Sequence, residues 1–277
     1  MKKIEEFIFI GIDQTGSVDQ KGRPRPLPIA TLYFDEVWKL AMARLSTLTL
    51  NSLISQHKQL GIRLKEKSSL IIVDCVLGLP KSYQKGQAKK NLVEWMLKAK
   101  SHSGFGLKAG QLFFDNLKIP GSEKLRVSEK VLNANSVFSP YPSQKNIQTG
   151  TFRIWKDIAD DVKSERIHIW PYDALANSKG EASLIEGYPS LAYQELIGKN
   201  SNQRVKANSK EVKALLTKKN IRTTDQGLQI SNEDERDAIL LAVYAFHLFK
   251  NQPHRLKFDS TPVEGAILGF RGETSKC

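Results

Sequence analysis

Four aspartates carry the chemistry in this sequence. Asp13 ends the apolar run Phe7–Ile12, and Asp74 follows "LIIV" within "SSLIIVDCVLGLP". The other two lie in "NEDERDAILLAVYAF", residues 232–246, where Glu233, Asp234, Glu235 and Asp237 stand at the start of an otherwise apolar helix. Helical residues advance 100° each, so Asp234 and Asp237 fall about 60° apart on one face. That face continues through Leu241, Ala245 and Leu248, so it points into the protein. An ionised carboxylate is costly to bury without a partner, and no lysine or arginine adjoins Asp13 or Asp74 in the chain. A bound cation would meet the need of both. Oxygen-only ligands select hard ions, here Mg²⁺ or Mn²⁺. Carboxylates can hold two such ions about 4 Å apart, the arrangement used for phosphodiester hydrolysis.

Each acid also has a plainer reading. Ser231 or Asn232 can cap the helix, with Asp234 or Glu235 closing a capping box, and acids in a first turn complement the helix dipole. Asp237 is one turn deeper and fits that reading poorly. Asp13 could bond its own backbone in a turn before Gly16. Asp74, between Val73 and Cys75, has the weakest structural explanation.

To bring these acids together, the chain must place two strand ends beside one helix start. Phe7–Ile12 reads as a buried strand, residues 68–80 as a buried strand that runs into a turn, residues 29–34 as a second strand, and "VWKLAMARLSTLTL" is ambiguous, its first half open to a third strand of a meander. Helices are expected over about 48–60, 84–100, 151–162, 190–197, 208–219 and 233–250. Further strands are expected within "RIHIWPYDAL" and at Ser183–Glu186, and "EGAILGF" as a last short strand or turn. A meander followed by strands alternating with helices implies a mixed α/β sheet covered on both faces. The 277 residues are read as one domain with a helical and irregular insertion at about 84–165.

Charge suggests the partner. The formal net charge is +13, concentrated in two stretches. Residues 81–130 hold 11 Lys/Arg against 4 Asp/Glu, and residues 198–222 hold 8 against 1. Two basic segments on a near-neutral body are a footprint for a polyanion, or else two solvated helical faces. On the second segment Arg204, Lys206, Lys210 and Lys213 are candidate nucleic-acid contacts, three of them on one helical face. Trp95, Trp155 and Trp170 could stack on bases or fill the core. The five histidines lack metal-ligand spacing, which argues against zinc. Two cysteines give no disulfide framework and suggest a reducing, cytoplasmic setting. No apolar run reaches membrane-spanning length.

Five motifs in order, "FIFIGIDQTG", "LIIVDCVLGLP", "IEGYPSLAYQEL", "DERDAILLAVYAF" and "EGAILGF", resemble an uncharacterised family of predicted nucleases with the RNase H-like fold. The wider superfamily, which includes the RuvC-type junction resolvases, implies a mixed sheet with antiparallel first strands. It also implies acids from the first strand, the fourth strand and a late helix, positions matched here by Asp13, Asp74 and Asp237. The D-x-x-D pair of RuvC-type enzymes is matched by Asp234 and Asp237. Asp74 departs from the more common Glu, which shortens the reach and keeps the chemistry. What the resemblance implies is two-metal hydrolysis of DNA or RNA. Glu186 is a possible additional acid, or an exposed strand-end residue, the reading favoured slightly. Two other classes compete: an actin-like nucleotide-dependent kinase or ATPase, suggested by "GIDQTGS", and a non-catalytic nucleic-acid-binding protein.

Overall fold

The apolar runs assemble one sheet. A computed structural model of the chain describes residues 3–14, 23–80, 87–104, 107–117, 125–132, 134, 136–138, 146–198, 208–224, 230–257 and 264–270. Its strands are β1 (Phe7–Ile12), β2 (Leu27–Asp35), β3 (Val37–Leu45), β4 (Ser68–Val73), β5 (Ile167–Ile169), β6 (Ala182–Glu186) and β7 (Arg222–Thr223). They lie side by side in the order β5-β6-β4-β1-β2-β3-β7. β1, β2 and β3 form an antiparallel meander, whereas β4 runs parallel to β1, β6 to β4, β5 to β6, and β7 to β3. The ambiguous "VWKLAMARL" is thus a strand, paired with β2 along its whole length, from Leu27↔Leu45 to Asp35↔Val37.

Every residue of β1 and β4 is buried. Central strands with both faces covered need apolar side chains throughout, which explains the unbroken runs. Ile8, Ile10 and Ile12 point into one core, while Phe7 and Phe9 point into the other.

The first core is covered by α1 (Leu50–Gln59), α2 (Ala88–Ser101), α3 (Leu107–Asp115) and α5 (Asn146–Lys163); the short α4 (Val127–Leu132) lies between α3 and α5 in the chain. Part of the stretch read as an insertion is therefore the helical layer on this face. Trp155 of α5 is fully buried, and its indole N–H donates to the carbonyl of Val76 at 2.7 Å. α5 begins five residues before the expected Thr151. The extra turn buries Gln148 and Thr149, polar residues that no apolar periodicity would flag.

The second core is covered by α6 (Pro189–Ile197), α7 (Ser209–Lys218) and α8 (Glu233–Asn251). α8 crosses β1, β2 and β4 and buries eleven residues. Its start is fixed by Asn232, whose side chain accepts from the Glu235 N–H at 2.8 Å. Glu235 reaches back to the Ser231 N–H and hydroxyl, at 2.8 and 2.9 Å. Residues 264–270 form a turn rather than a strand. Ile267 makes one parallel bridge to Glu186, and the Leu268 N–H donates to the Glu186 carbonyl at 2.8 Å.

Candidate active site

Parallel pairing of β1 with β4 ends at Ile12↔Val73, so Asp13 and Asp74 leave the sheet as neighbours at its carboxyl edge. The Asp74 N–H donates to the Ile12 carbonyl at 3.0 Å, extending the ladder by one rung. Crevices outside the carboxyl ends of strands are where open α/β sheets bind ligands. The segment after Asp74 is held by the core: the Val76 N–H donates to Thr151 Oγ1 at 3.3 Å and the Leu77 N–H to Glu186 Oε2 at 2.8 Å.

α8 brings the other two aspartates. It can do so because Gly11 has no side chain. A Cβ there would fall 2.0 Å from the Ala238 carbonyl oxygen and 2.6 Å from the Ala242 nitrogen. The helix backbone therefore rests directly on β1, two residues before Asp13 and one residue after Asp237. This close approach was not recognised from the sequence, although a glycine inside an apolar strand is the usual signal for one.

The four aspartates act on one another. Asp13, 6% exposed, has its pKa raised well above the ordinary value, first by burial and then by the charges of Asp74, Asp237 and Asp234. Asp74 is pushed up to about 7, first by burial and then by Asp237, with Glu186 and Asp234 adding to the rise. A hydrogen bond joins Asp13 and Asp74, and it favours the proton on Asp13. No lysine or arginine is a leading influence on either carboxyl. Without a bound cation the pair relieves its repulsion by holding a proton.

The remaining acids have other partners. Glu235 caps α8 and pairs with Arg44 at 2.7 Å, while Glu233 lies 3.5 Å from Arg236. Of the four acids at the entrance of α8, Glu235 is thus a cap and ion-pair partner, while Asp234 and Asp237 are near enough to act on the strand-end carboxyls through their charge. Glu186 is not an exposed strand-end residue: it is 3% exposed. Arg126, 60 residues away in sequence, grips its carboxylate with both terminal nitrogens, Nη1 at 2.7 Å, and also donates from Nε to Glu129 at 3.0 Å. Glu186 acts on Asp74 through its charge, but its oxygens are committed to Arg126 and the Leu77 N–H.

Asp74, Glu186, Arg126 and Glu129 line a cavity of about 330 Å³ together with Gln14 and Tyr188. Lys210 and Lys213 are exposed on α7, and Asn208 caps that helix in a capping box with Glu211. Arg204 and Lys206 lie outside the described residues. The other basic segment is less available than its composition implies. Arg126 is buried, Lys89 pairs with Asp173 at 2.6 Å, and Lys100 pairs with Asp160. Trp155 and Trp170 are core residues, and Trp95 is half-buried against Phe113 with the Lys98 ammonium 4.1 Å above its ring.

No family model, curated protein or solved structure matches this chain.

The donor chemistry suits a hard divalent ion: carboxylate oxygens only, from one buried and three half-buried aspartates, mutually repelling, at the carboxyl edge of the sheet. Among the described residues no three histidine, cysteine, aspartate or glutamate side chains stand in a ready-made coordination group. The aspartates are electrostatic neighbours. Among the described residues no helix is long and apolar enough to cross a membrane.

Proposed function

We propose that the chain is a metal-dependent nuclease that hydrolyses phosphodiester bonds of DNA or RNA. The observation that carries the reading is the meeting of Asp13, Asp74, Asp234 and Asp237 at the ends of two adjacent parallel strands and the start of one helix, with Asp234 and Asp237 each raising the pKa of both strand-end aspartates. The RNase H-like interpretation draws support from the sheet: an antiparallel β1-β2-β3 meander, β4 and β6 parallel beyond β1, and acids from the first strand, the fourth strand and the last long helix.

Asp13 and Asp74 would hold Mg²⁺ or Mn²⁺ with Asp234 and Asp237. When bound, two such ions supply charge neutralisation at the phosphate and activation of water. The protein's own part is placement. The β1–β4 ladder fixes the spacing of Asp13 and Asp74, Gly11 sets the depth of α8, and Arg126 holds the Glu186 carboxylate. Exposed Lys210 and Lys213 contribute to long-range attraction of a polyanion. Unscreened, the aspartates would repel phosphate, so binding and cleavage should both need the ions.

The test is cleavage of labelled single-stranded DNA, duplex DNA, RNA and hybrid with Mg²⁺ or Mn²⁺, with and without chelator. The expected result is metal-dependent cutting that Asp74→Asn and Asp237→Asn each abolish. Equal cutting by all three proteins would sink the reading.

A further inference from the structure

A second cavity opens at the same edge of the sheet, on the side of β2 and β3. Resting on the nuclease reading for the reaction itself, we propose that this cavity, walled by Arg23 and Arg153, holds a phosphate group of the substrate strand a few nucleotides from the bond that is cut.

Three observations lead there. The first is place. The cavity, of about 450 Å³, is lined by Arg23 and Pro26 before β2, by Ser46 and Thr47 after β3, and by Arg153 and Asp157 of α5. β2 runs antiparallel to β1, with Ile29 opposite Ile12, and β3 returns with Leu45 opposite Leu27. The start of β2 and the end of β3 therefore share the edge at which β1 delivers Asp13. Two strand spacings, about 10 Å, separate the end of β1 from the end of β3. A nucleic-acid strand rising about 3.4 Å per nucleotide crosses that gap in about three nucleotides.

The second is an arginine buried without a carboxylate. Arginines are almost never buried unless paired. Arg126 follows the rule, with Glu129 and Glu186 as its partners. Arg153 is 5% exposed, yet among the described residues no carboxylate stands within ion-pair distance of it. Asp157 acts on it only through charge, and directs a carboxylate oxygen to the Leu48 N–H at 2.8 Å. Burial raises the pKa of Asp157, so the one acid in the wall opposes an anion weakly. An anion in the cavity would supply the missing countercharge.

The third is the set of donors still open. A guanidinium carries five N–H groups in a planar fork. Arg153 donates from Nη1 to the Arg25 carbonyl at 2.5 Å and from Nη2 to the Ser46 carbonyl at 2.7 Å. Those two bonds fix the group between the segments flanking β2 and β3. They leave three N–H groups without a protein partner among the described residues. Arg23 and the exposed Ser46 border the same space. Such forks bind phosphate oxygens in pairs, with a geometry that an ammonium cannot reproduce.

Small probes test the cavity without requiring catalysis. Calorimetry in chelator at low salt would measure inorganic phosphate, thymidine 5′-phosphate and the dinucleotide TpT, whose only phosphate is an internal diester. The proteins are the wild type, Arg153→Lys, Arg23→Gln and Lys163→Gln, the last removing a charge at the far end of α5. The expected result is saturable binding that Arg153→Lys and Arg23→Gln each weaken about tenfold, the worth of one charge-assisted hydrogen bond. Lys163→Gln should bind as the wild type does. Arg153→Lys keeps the charge and loses the fork, so its loss reports geometry rather than net charge. No binding of any probe by the wild type, unchanged binding in both arginine variants, or an equal loss in Lys163→Gln overturns the inference. Should Arg153→Lys melt early, Arg23→Gln against Lys163→Gln decides alone. Binding of TpT as tight as that of thymidine 5′-phosphate upholds the cavity as a site for an internal phosphate; binding of the monoesters alone upholds it as a site for a strand end. Metal-dependent cleavage by a protein that binds no probe defeats the cavity and leaves the nuclease reading. Phosphate binding lost in the arginine variants, without cleavage of any substrate, upholds the cavity and defeats that reading.

Discussion

Replacing Asp74 by Asn should stabilise the metal-free protein. In the native state this carboxyl is pushed from 3.8 up to about 7 by burial and by Asp237. The unfolded carboxyl ionises near its ordinary value. Between those two pH values the native state therefore binds a proton that the unfolded state lacks, and stability falls as pH rises through the window. Above it the full penalty applies. At 1.36 kcal/mol per pH unit the rise corresponds to about 4 kcal/mol. Asp74 keeps part of its surface in water, which screens the interaction and brings the expected gain to about 2 kcal/mol. An asparagine carries no charge and can donate to Asp13, so it removes the penalty without opening a hole. Urea unfolding in chelator at about pH 8 and about pH 4 reads the effect directly. Asp74→Asn should be the more stable protein at the higher pH, and its stability should depend less on pH. With Mg²⁺ or Mn²⁺ the order should reverse, because only the wild type gains binding free energy. A variant that is no more stable than wild type in chelator at the higher pH would refute the picture of a strained carboxylate cluster.

Other outcomes follow from the same contacts. Gly11→Ala should cost about 3 kcal/mol, at the upper end for overpacking, because its Cβ would press on the Ala238 carbonyl; it should also weaken metal-induced stabilisation by lifting α8. Denaturant midpoints with and without Mn²⁺ check both. Arg126→Met should cost about 3–5 kcal/mol by leaving Glu186 and Glu129 buried without their cation. Adding Glu186→Gln should restore part of that loss, which a double-mutant cycle measures. His57 is fully buried between the Thr31 hydroxyl, 2.8 Å away, and the Leu53 carbonyl, 2.7 Å away, and burial lowers its pKa. The unfolded histidine gains a proton near pH 6.5 while the native one stays neutral, so stability should drop as pH falls below that value, and His57→Asn should flatten the slope.

The strand-end acids were legible because an apolar run that stops at an aspartate is a local pattern. Asp234 and Asp237 were legible because helical geometry puts them on one face. Neither pattern could say which of the four acids at the start of α8 do structural work. Glu235 is identified as a cap only once Ser231 and Arg44 are seen around it. Glu186 was misjudged for a related reason: its partner Arg126 lies in a segment whose basic residues read as surface charge, and burial is invisible in composition. The early start of α5 rests on buried Gln148, whose amide donates to the Val137 carbonyl at 2.9 Å, a contact that hydropathy does not encode. Local pattern thus located the acids, while long-range pairing decided their roles.

The order of the elements along the chain has a consequence for synthesis. Asp13 and Asp74 lie in the first part of the sequence, but Asp234 and Asp237 enter with α8, near its far end. A ribosome adding about 5–20 residues per second reaches α8 roughly 10–40 s after β1. Through that interval a nascent chain carries two of the four aspartates and no cluster. The exposed face of β1 awaits the one helix that both buries it and completes the site. Folding of this face and the gathering of the four aspartates share one docking event, so on the proposed nuclease reading a truncated or stalled product would lack the centre that cuts nucleic acid.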